Sequence, residues 1–235
     1  AHILTSRGCP FKCIFCVWPA TMTGNDPDGE NKRTVRQYSA DYIKGFLDKL
    51  TSDYKFEAIY FDDDTFNIGN KHTVEISKVA GKYNIPWFAM CRADTSKKEN
   101  WKIMRDNGCK GVKIGIESGS QYVVDKIVNK HLDLDYTNQL VDHLRSLNMS
   151  VHGTFTYGLP GETKEQMLET KEFIRRTNFN TVQESGTAEI EGTPLHTLNT
   201  KDLKNYPGAS INTEYDRQKD GGKKWQSLVK SLQDN

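Results

Sequence analysis

Short β-branched or aromatic runs alternate six times with helical patterns, and this alternation constrains the fold more than any other feature of the sequence. Strands that alternate with helices are typical of repeated βα units, in which successive strands lie parallel in one sheet. The sequence therefore predicts a parallel α/β architecture. The predicted strands are Ile3–Thr5, Ala58–Phe61, Trp87–Cys91, Val112–Ile116, Val151–Tyr157 and Thr181–Glu184.

Two of the intervening segments carry apolar residues at the spacing of one helical face, and these stripes are expected to pack on the sheet. The stripes are Ile43, Phe46, Leu47 and Leu50 in one segment and Leu140, Leu144 and Leu147 in another. Ser or Thr followed three residues later by Glu or Gln predicts a capped helix start, and Asn-Gly predicts a helix end. These pairs are Ser96 with Glu99, Thr163 with Gln166, and Asn107 with Gly108.

Six βα units are fewer than the eight that close a full barrel, so the sequence favours a partial (β/α)6 TIM-like barrel with parallel strands and outer helices. We expect the barrel over residues 1–200, and a carboxyl-terminal extension with a terminal helix, Lys223–Leu232, over residues 201–235. Residues 19–38 and 186–222 lack periodicity and are predicted to be loops, either solvated connections or a lid or docking edge. Ligands of parallel βα sheets bind at the carboxyl ends of the strands.

The composition excludes several classes of protein. With 32 Lys and Arg residues against 31 Asp and Glu residues, the formal net charge is only +1. This balance lacks the concentrated positive charge of a non-specific nucleic-acid platform. The 235 residues contain no apolar run long enough for a membrane span and open with no secretion signal. We therefore expect a cytoplasmic protein that binds neither nucleic acid nor membrane.

The five cysteines are unevenly distributed, because Cys9, Cys13 and Cys16 lie close together while Cys91 and Cys109 stand singly. Three neighbouring cysteines are poorly placed for a disulfide framework, so we expect a reducing or anaerobic compartment and a bound metal. The Cys-x3-Cys-x2-Cys spacing suits a 4Fe-4S cluster, whose fourth iron would stay open to a substrate or cofactor. A zinc site with His2 as fourth ligand is the alternative, although its spacing does not resemble a zinc finger.

The cysteine segment resembles the radical S-adenosylmethionine (SAM) superfamily in the motif Cys9-x3-Cys13-x-Phe15-Cys16, followed by the predicted βα units. The resemblance implies that the three cysteines hold a 4Fe-4S cluster, that its open iron binds SAM, and that Phe15 packs near the adenine. It implies reductive cleavage of SAM to a 5'-deoxyadenosyl radical, which abstracts hydrogen from a small-molecule or peptide substrate. A reductant such as flavodoxin or ferredoxin would supply the electron.

Further segments resemble the cobalamin-binding subclass of this superfamily, which contains methyltransferases and the oxygen-independent cyclase of chlorophyll synthesis. They are CVWP at 16–19, FDDDTF at 61–66, RAD at 92–94, GIESG at 115–119, GLPGET at 158–163 and GTPL at 192–195. Members of the subclass carry an amino-terminal cobalamin domain, whereas only eight residues precede Cys9. Cobalamin is therefore expected only if an additional domain exists, in a longer parent enzyme that catalyses methyl transfer or cyclisation.

Charged residues that follow two of the predicted strands are candidate cofactor ligands. Adjacent carboxylates repel one another unless a cation shares them. By resemblance, Asp62 and Asp63 would bind the methionine ammonium of SAM; a solvated acidic turn is the alternative. Arg92 is expected to pair with a carboxylate, either of the cofactor or of Asp94.

The next two strand ends complete the set of candidate residues. By resemblance, Glu117 would hold the ribose hydroxyls or the methionine part of SAM, since a carboxylate accepts well from vicinal hydroxyls. Ser118 either shares this role or caps the next helix. The backbone of Gly158, Leu159 and Pro160 would contact the adenine; a plain strand-to-helix turn explains the same residues.

Two other functions stay open. The first is an iron-sulfur module that transfers electrons or stabilises the fold without radical chemistry. The second is a zinc-stabilised interaction domain. Only the radical enzyme would release deoxyadenosine from SAM, so product analysis separates the three hypotheses.

Overall fold

The computed structural model describes residues 1–17, 34–188 and 190–197, and the eight strands in these ranges form two sheets. The strands are β1 (His2–Ile3), β2 (Ser6–Arg7), β3 (Arg36–Gln37), β4 (Ile59–Phe61), β5 (Trp87–Cys91), β6 (Cys109–Glu117), β7 (Ser150–Tyr157) and β8 (Thr181–Gly186). Six of them form the main sheet in the order β1-β4-β5-β6-β7-β8, and every neighbouring pair is parallel. Within the described residues, β1 and β8 are its two edges, so the sheet is open on one side.

In the described residues, five helices connect the strands of the main sheet, and a sixth short helix follows β8. They are α1 (Ala40–Asp53), α2 (Asn70–Gly81), α3 (Lys98–Asp106), α4 (Leu134–Ser146), α5 (Lys164–Arg176) and α6 (Pro194–Thr197), and a π-helical turn covers Val123–Ile127. The predicted α/β class, with six parallel strands and connecting helices, is confirmed. β6 and β7 begin earlier than their sequence patterns indicate, and β6 ends one residue later.

The helices cover one face of the main sheet, which we call the helix-packed face; the opposite face is the inner face. Strand residues alternate between the two, so every second side chain of β5 and β7 is buried, whereas β8 at the edge is exposed along most of its length. Large aromatic side chains fill this core: Phe61, Phe66 and Trp87 form ring contacts with centroids 5.1–5.5 Å apart. Trp101 of α3 is also fully buried.

The apolar stripes of α1 and α4 pack largely as expected. Ile43 and Leu47 of α1 are buried, as are Leu140 and Leu144 of α4. Leu50 and Leu147 pack on the core from partly buried positions. Phe46 was expected on the same face, but it is 42% exposed. The reason is geometric, because one residue turns the helix by about 100° and carries Phe46 off the narrow stripe set by residues 43 and 47.

Two of the three predicted helix boundaries are confirmed. Thr163 and Gln166 form a capping box at the start of α5, and Asn107 ends α3 before Gly108, which has a positive φ of 95°.

The start of α3 differs from its prediction. The expected cap, Ser96, is wrong because α3 begins at Lys98, after Lys97 in the N-cap position. Asn70 of α2 accepts hydrogen bonds from the Lys97 N–H, at 3.2 Å, and from the Asn100 side chain, at 2.6 Å. A contact from a neighbouring helix thus replaces the local capping box.

The second sheet is a small antiparallel pair of β2 and β3 that the sequence does not predict. Each strand has two residues, too few for an alternating pattern. β3 falls in the segment predicted to be a loop up to Tyr38, whose N–H donates to the Thr5 carbonyl at 3.0 Å. This pair brings residues 34–38 against the start of the cysteine segment.

Several predictions fall outside the described residues. These are most of the irregular stretches 19–38 and 186–222, and the whole extension 201–235 with its terminal helix Lys223–Leu232. In the part of the chain that the structure describes, no helix has the length and apolar character needed to cross a membrane.

We predict that Gly119→Ala lowers the free energy of unfolding by about 1–3 kcal/mol, because an added methyl group overpacks the β6–α5 contact. A Cβ at Gly119 would lie 2.5 Å from the Cβ of Phe173 and 2.7 Å from the Cα of Thr170. Gly45→Ala is the control: it adds a methyl group to α1 where no heavy atom lies within 4 Å. The control should raise stability by about 0.5–1 kcal/mol, as alanine is the better helix former. Urea denaturation of both variants measures the difference, and equal effects would contradict the prediction.

Candidate active site

The cysteine segment, residues 8–17, follows β2 and lies at the carboxyl ends of the main strands. Its first residue is fixed by a hydrogen bond of 2.5 Å from the Gly8 N–H to the Asp64 carboxylate, which follows β4. Gly8 has a positive φ of 93°, and a Cβ there would lie 2.2 Å from the Thr34 carbonyl oxygen. Only glycine fits this entry to the segment.

The middle of the cysteine segment is bonded on both sides. The Ile14 N–H donates to the Val128 carbonyl at 3.1 Å, and the Ile14 carbonyl accepts from the Leu195 N–H at 2.9 Å. The side chains of the same region form a small apolar cluster, separate from the main core, which we call the mouth cluster. Its buried members are Ile14, Val123, Ile127, Val128, Leu159 and Leu195.

The mouth cluster joins motifs that lie far apart in the sequence. It gathers the cysteine segment, the π-helical turn after β6, the Gly158–Gly161 turn after β7 and the GTPL segment after β8. Phe15 and Cys13 pack against it from partly buried positions. The structure thus brings together three of the segments that the sequence singled out, together with the π-helical turn, which it did not.

None of the five cysteines is in a disulfide, and they fall into two groups. Cys91 and Cys109 are buried in the main core, where burial raises the pKa of each thiol. Cys9, Cys13 and Cys16 are partly exposed on the loop. Burial raises the pKa of Cys13 as well, although the charge of Lys130 acts in the opposite direction.

The three loop cysteines fit the donor chemistry of an iron-sulfur cluster, since they offer free thiols on one accessible segment. In the described ranges, no group of three or more His, Cys, Asp or Glu side chains is arranged to hold a metal ion. A 4Fe-4S cluster does not require such a group, because each thiolate binds a different iron and the ligands stand farther apart than those of one ion.

The three aspartates after β4 have separate roles. Asp63 is 2% exposed, and one of its carboxylate oxygens accepts from the Thr5 N–H, the Thr5 hydroxyl and the Ser6 hydroxyl at 2.6–3.0 Å. Burial raises the pKa of Asp63, and these hydrogen bonds oppose the shift.

The other two aspartates differ from Asp63. Asp64 accepts the hydrogen bond from the Gly8 N–H. Asp62 is the exposed one, with His2 Nδ1 3.7 Å from its carboxylate. The structure therefore leaves Asp62 exposed and ties Asp63 to Thr5 and Ser6, which precede the cysteine segment.

Arg92, after β5, forms an ion pair with Asp94, so its guanidinium already has a carboxylate partner within the chain. Its Nε and Nη2 donate to the two carboxylate oxygens at 2.5 and 2.9 Å. Nη2 also donates to the Lys130 carbonyl, and the guanidinium lies over the Phe11 ring, 3.6 Å from its centroid. Arg92 is 5% exposed. It therefore ties the end of β5 to the cysteine segment and to the segment after the π-helical turn.

Glu117, at the end of β6, forms a buried ion pair with Lys130. The Lys130 Nζ lies 2.8 Å from one carboxylate oxygen, and the Thr156 hydroxyl donates to the other at 3.2 Å. Burial acts to lower the pKa of Lys130, but the charges of Glu117 and Cys13 outweigh it and raise the pKa. Gly115 leaves room for the pair, because a Cβ there would lie 2.5 Å from the Glu117 carboxylate.

The backbone of Glu117 is strained, with a φ of 76° that side chains other than glycine rarely adopt. The register of β6 against β7 also shifts between Gly115 and Glu117. Such outliers cost about 1–3 kcal/mol and persist where the surroundings hold them in place. Here the bulge turns the Glu117 side chain toward Lys130.

Ser118 lies on the opposite side of the backbone. It is fully buried, and its hydroxyl lies 3.0 Å from the Thr170 hydroxyl of α5 and accepts from the Ser120 N–H at 3.1 Å. The π-helical turn that follows has Tyr122 at its N-cap position without a side-chain cap. Ser118 therefore fixes the exit of β6 against α5, and the expectation that it caps the next helix is wrong.

The Gly158–Gly161 turn is held by a carboxyl group from its own segment. Glu162 accepts from the Gly158 N–H at 2.8 Å and from the Leu159 N–H at 3.1 Å. Leu159 is buried in the mouth cluster, whereas Pro160 is partly exposed. Glu162 is 1% exposed, and burial raises its pKa to about 8 against the opposing effect of the two backbone hydrogen bonds.

A family model described as the radical SAM superfamily matches residues 3–174. The chain belongs to the radical SAM superfamily. Radical SAM enzymes use a 4Fe-4S cluster and SAM, which confirms the cofactors that the sequence predicts.

Two curated relatives are methyltransferases by name. An uncharacterized methyltransferase from Pyrococcus horikoshii is 29% identical over 196 residues, covering 82% of this chain and 40% of its own length. Cytidylyl-2-hydroxyethylphosphonate methyltransferase from Streptomyces wedmorensis is 28% identical over 205 residues, covering 83% and 36%.

The solved structures of radical SAM enzymes share the fold. One is a radical SAM methyltransferase from Kitasatospora setae with cobalamin and a 4Fe-4S cluster bound; its TM-score is 0.70 at 17% identity, over 83% of this chain and 35% of that one. The TIM-barrel-like class predicted from six βα units is thereby confirmed. This chain spans less than half the length of these curated relatives and of this structure.

Two residues of this radical SAM site were missed from the sequence. Lys130 lies in a polar stretch without periodicity, and nothing in one sequence pairs it with Glu117. Glu162 belongs to the quoted GLPGET motif, but its role as the acceptor inside the turn was not inferred. An acidic residue three or four positions after a glycine turn is a usable pattern, since its carboxyl group can reach back to the turn's N–H groups.

We predict that Glu162→Gln removes a pH dependence of stability. The Glu162 pKa is about 8 in the folded chain and 4.5 ordinarily, so between these values the folded state keeps a proton that the unfolded state releases. The free energy of unfolding should therefore fall as pH rises from about 4.5 to about 8, by up to about 1.4 kcal/mol per pH unit. Urea denaturation across this range checks the slope. Glu165→Gln, which removes an exposed carboxyl group from the same segment, should keep the wild-type slope; the same slope in Glu162→Gln would refute the assignment.

We also predict that Lys130→Met lowers the free energy of unfolding by about 3–5 kcal/mol, because it leaves the Glu117 carboxylate buried without its counter-ion. Adding Glu117→Gln should recover part of this loss, since no uncompensated charge then remains. Chemical denaturation of the single and double variants tests the pair. Lys102→Met, which breaks an exposed ion pair with Asp106 on α3, should change stability little. A double variant less stable than Lys130→Met would be inconsistent with this account.

Proposed function

We propose that this chain is the catalytic barrel of a radical SAM enzyme in which Cys9, Cys13 and Cys16 hold a 4Fe-4S cluster. The observation that carries the proposal is the double anchoring of the cysteine segment through Ile14, to Val128 after β6 and to Leu195 after β8. It presents accessible thiols above the carboxyl ends of the strands, where ligands of parallel βα sheets bind.

SAM would lie across the same strand ends. When bound, the cluster and SAM would together supply the 5'-deoxyadenosyl radical that abstracts hydrogen from the substrate. Asp62 is the accessible carboxylate for the methionine ammonium. Phe15 would pack beside the adenine, and the backbone of Gly158 and Pro160 would contact it.

The remaining predicted ligands act as positioning residues in this proposal. Asp63 fixes Ser6 in β2, just before the cysteine segment, and Arg92 contacts Phe11 within the segment. Ser118 fixes the exit of β6. Leu159 shapes the turn from inside the mouth cluster.

Glu117 is the exception among these buried groups. It would hold the ribose hydroxyls or the methionine part of SAM, with Lys130 fixing the orientation of its carboxylate. This role requires a ligand to approach a group that is 9% exposed, so the approach is from the inner face beside Thr156.

Methyl transfer is the outcome we favour over other radical reactions. Both curated relatives described above bear the name methyltransferase. The structure from Kitasatospora setae contains cobalamin, and this chain covers only 35% of it. Cobalamin would therefore be used here together with an additional domain.

The other partners follow from the chemistry. A small-molecule or peptide substrate would enter the barrel, and a reductant such as flavodoxin or ferredoxin would deliver the electron. The free cysteines fit a reducing, oxygen-poor compartment, and we propose the cytoplasm.

The decisive test is anaerobic reconstitution with iron and sulfide, followed by analysis of products from SAM under a strong reductant. We predict that the wild-type chain binds iron and releases 5'-deoxyadenosine, and that Cys13→Ala loses both, because the cluster loses one of its three ligands. Cys109→Ala is the matched control, since its thiol is buried in the main core, and it should keep both.

Each other outcome rejects part of the proposal. Iron binding without deoxyadenosine in the wild-type chain would favour an electron-transfer or structural module. Zinc in place of iron would favour an interaction domain. Retention of iron by Cys13→Ala would remove this cysteine from the ligand set.

A further inference from the structure

The inner face of β6, β7 and β8 is polar, in contrast to the apolar helix-packed face. On β6, Val112 and Ile114 are buried, whereas Lys113, between them in the sequence, is partly exposed and points to the inner face. The register places Lys113 beside His152 of β7, and His152 beside Thr181 of β8. Paired residues of parallel strands share a face, so these three side chains form a row across the inner face.

Hydrogen bonds join this row to the next. The Lys113 Nζ donates to the Gln183 side-chain oxygen at 3.1 Å, and the Gln183 amide donates to the Ser185 hydroxyl at 3.3 Å. The His152 Nδ1 lies 2.7 Å from the Thr181 hydroxyl. We call these five residues, Lys113, His152, Thr181, Gln183 and Ser185, the inner polar patch.

The inner polar patch carries a positive charge without an acidic partner. Among the residues that the structure describes, no carboxylate lies within 4 Å of the Lys113 Nζ, and its hydrogen-bond partner is a neutral amide. The cations at the mouth differ, because Lys130 is paired with Glu117 and Arg92 with Asp94. The pKa of His152 is lowered, first by burial and then by the charge of Lys113. A second cationic group therefore forms less readily beside Lys113, and the patch offers one ammonium group with neutral donors around it.

The depth of the patch suits one end of a substrate. Lys113 precedes Glu117 by four positions on β6, and a strand rises about 3.3 Å per residue, so Lys113 lies roughly 10–13 Å below the mouth. The neighbouring strand adds an apolar side, since Met90 of β5 pairs in register with Lys113. A molecule held at Lys113 would have Met90 on one side and would extend along β6 toward Glu117.

We propose that the inner polar patch binds a carboxylate or phosphoryl group of the substrate, with Lys113 as its counter-ion. The inference rests on the proposed function, because it assigns the substrate of the same barrel to the class of anionic molecules. Lys113 supplies a charge-assisted hydrogen bond, and the hydroxyl and amide groups of Thr181, Gln183 and Ser185 supply neutral donors. The anion displaces Gln183 from Lys113 without any further change of charge at the site.

The test is direct binding to the reconstituted chain, measured by titration calorimetry with three probes that share a phenyl ring. Phenylphosphonate and benzoate carry the two anionic groups, and benzyl alcohol is the neutral comparison. We expect at least one anion to bind saturably and benzyl alcohol to bind at least tenfold more weakly. Binding of only one anion assigns the phosphoryl or the carboxylate source.

Matched variants assign the binding to the patch. Lys113→Gln should weaken anion binding about tenfold or more, as expected for loss of one charge-assisted hydrogen bond, and Lys113→Arg should restore most of it. Lys110→Gln removes an exposed cation from the same strand and should leave binding unchanged. Equal binding of the neutral probe, no binding of either anion, or full binding by Lys113→Gln would overturn the inference.

The binding measurement is independent of radical chemistry. Anion binding at Lys113 in a chain that releases no deoxyadenosine would leave this inference standing and reject the proposed function. Deoxyadenosine release without anion binding would support the proposed function and reject this inference.

Discussion

The arrangement of the active site depends on the two backbone hydrogen bonds of Ile14. One reaches Val128 after β6 and the other reaches Leu195 after β8. Because buried backbone groups are costly to leave unpaired, the cysteine segment cannot shift without losing one of these bonds. The positions of Cys13 and Cys16 are therefore set by parts of the chain that are distant in sequence. The cysteine segment has no regular secondary structure, but its position is fixed because it bonds to segments that follow strands of the main sheet.

Electrostatics divides the inner side of the barrel into two levels. At the mouth, Arg92 and Lys130 are buried and each has a carboxylate partner, which offsets the cost of removing the charge from water. Such pairs are rigid, because breaking one leaves an uncompensated charge. Lower down, the Lys113 Nζ donates its hydrogen bond to the neutral amide of Gln183. The ion pairs at the mouth thus support the cysteine segment, whereas Lys113 can exchange its neutral hydrogen-bond partner for an anion.

Periodicity was sufficient to predict the helices and parallel strands, because burial beneath a helix imposes an apolar residue at every second strand position. The cysteine spacing was sufficient to predict the family. Contacts between distant segments were not predictable: Asn70 replaced the expected cap of α3, and Lys130 paired with Glu117. The aspartates illustrate the limit within one motif. Sequence treats Asp62 and Asp63 alike, but in the loop after β4 Asp62 is exposed whereas Asp63 is buried against Ser6 of β2.

The strand order of the main sheet has a consequence for how the chain is made. Each strand lies beside the main-sheet strand that precedes it in the chain, from β1 through β8. During synthesis, every strand that leaves the ribosome therefore finds its neighbour already in place. The first pair, β1 with β4, must close a long loop because it joins His2 to Tyr60, and long-loop closure slows assembly; each later strand adds to a neighbour that has already been made. The contacts of the cysteine segment form later, since Ile14 bonds to Val128 and to Leu195, which both follow it in the chain by more than one strand.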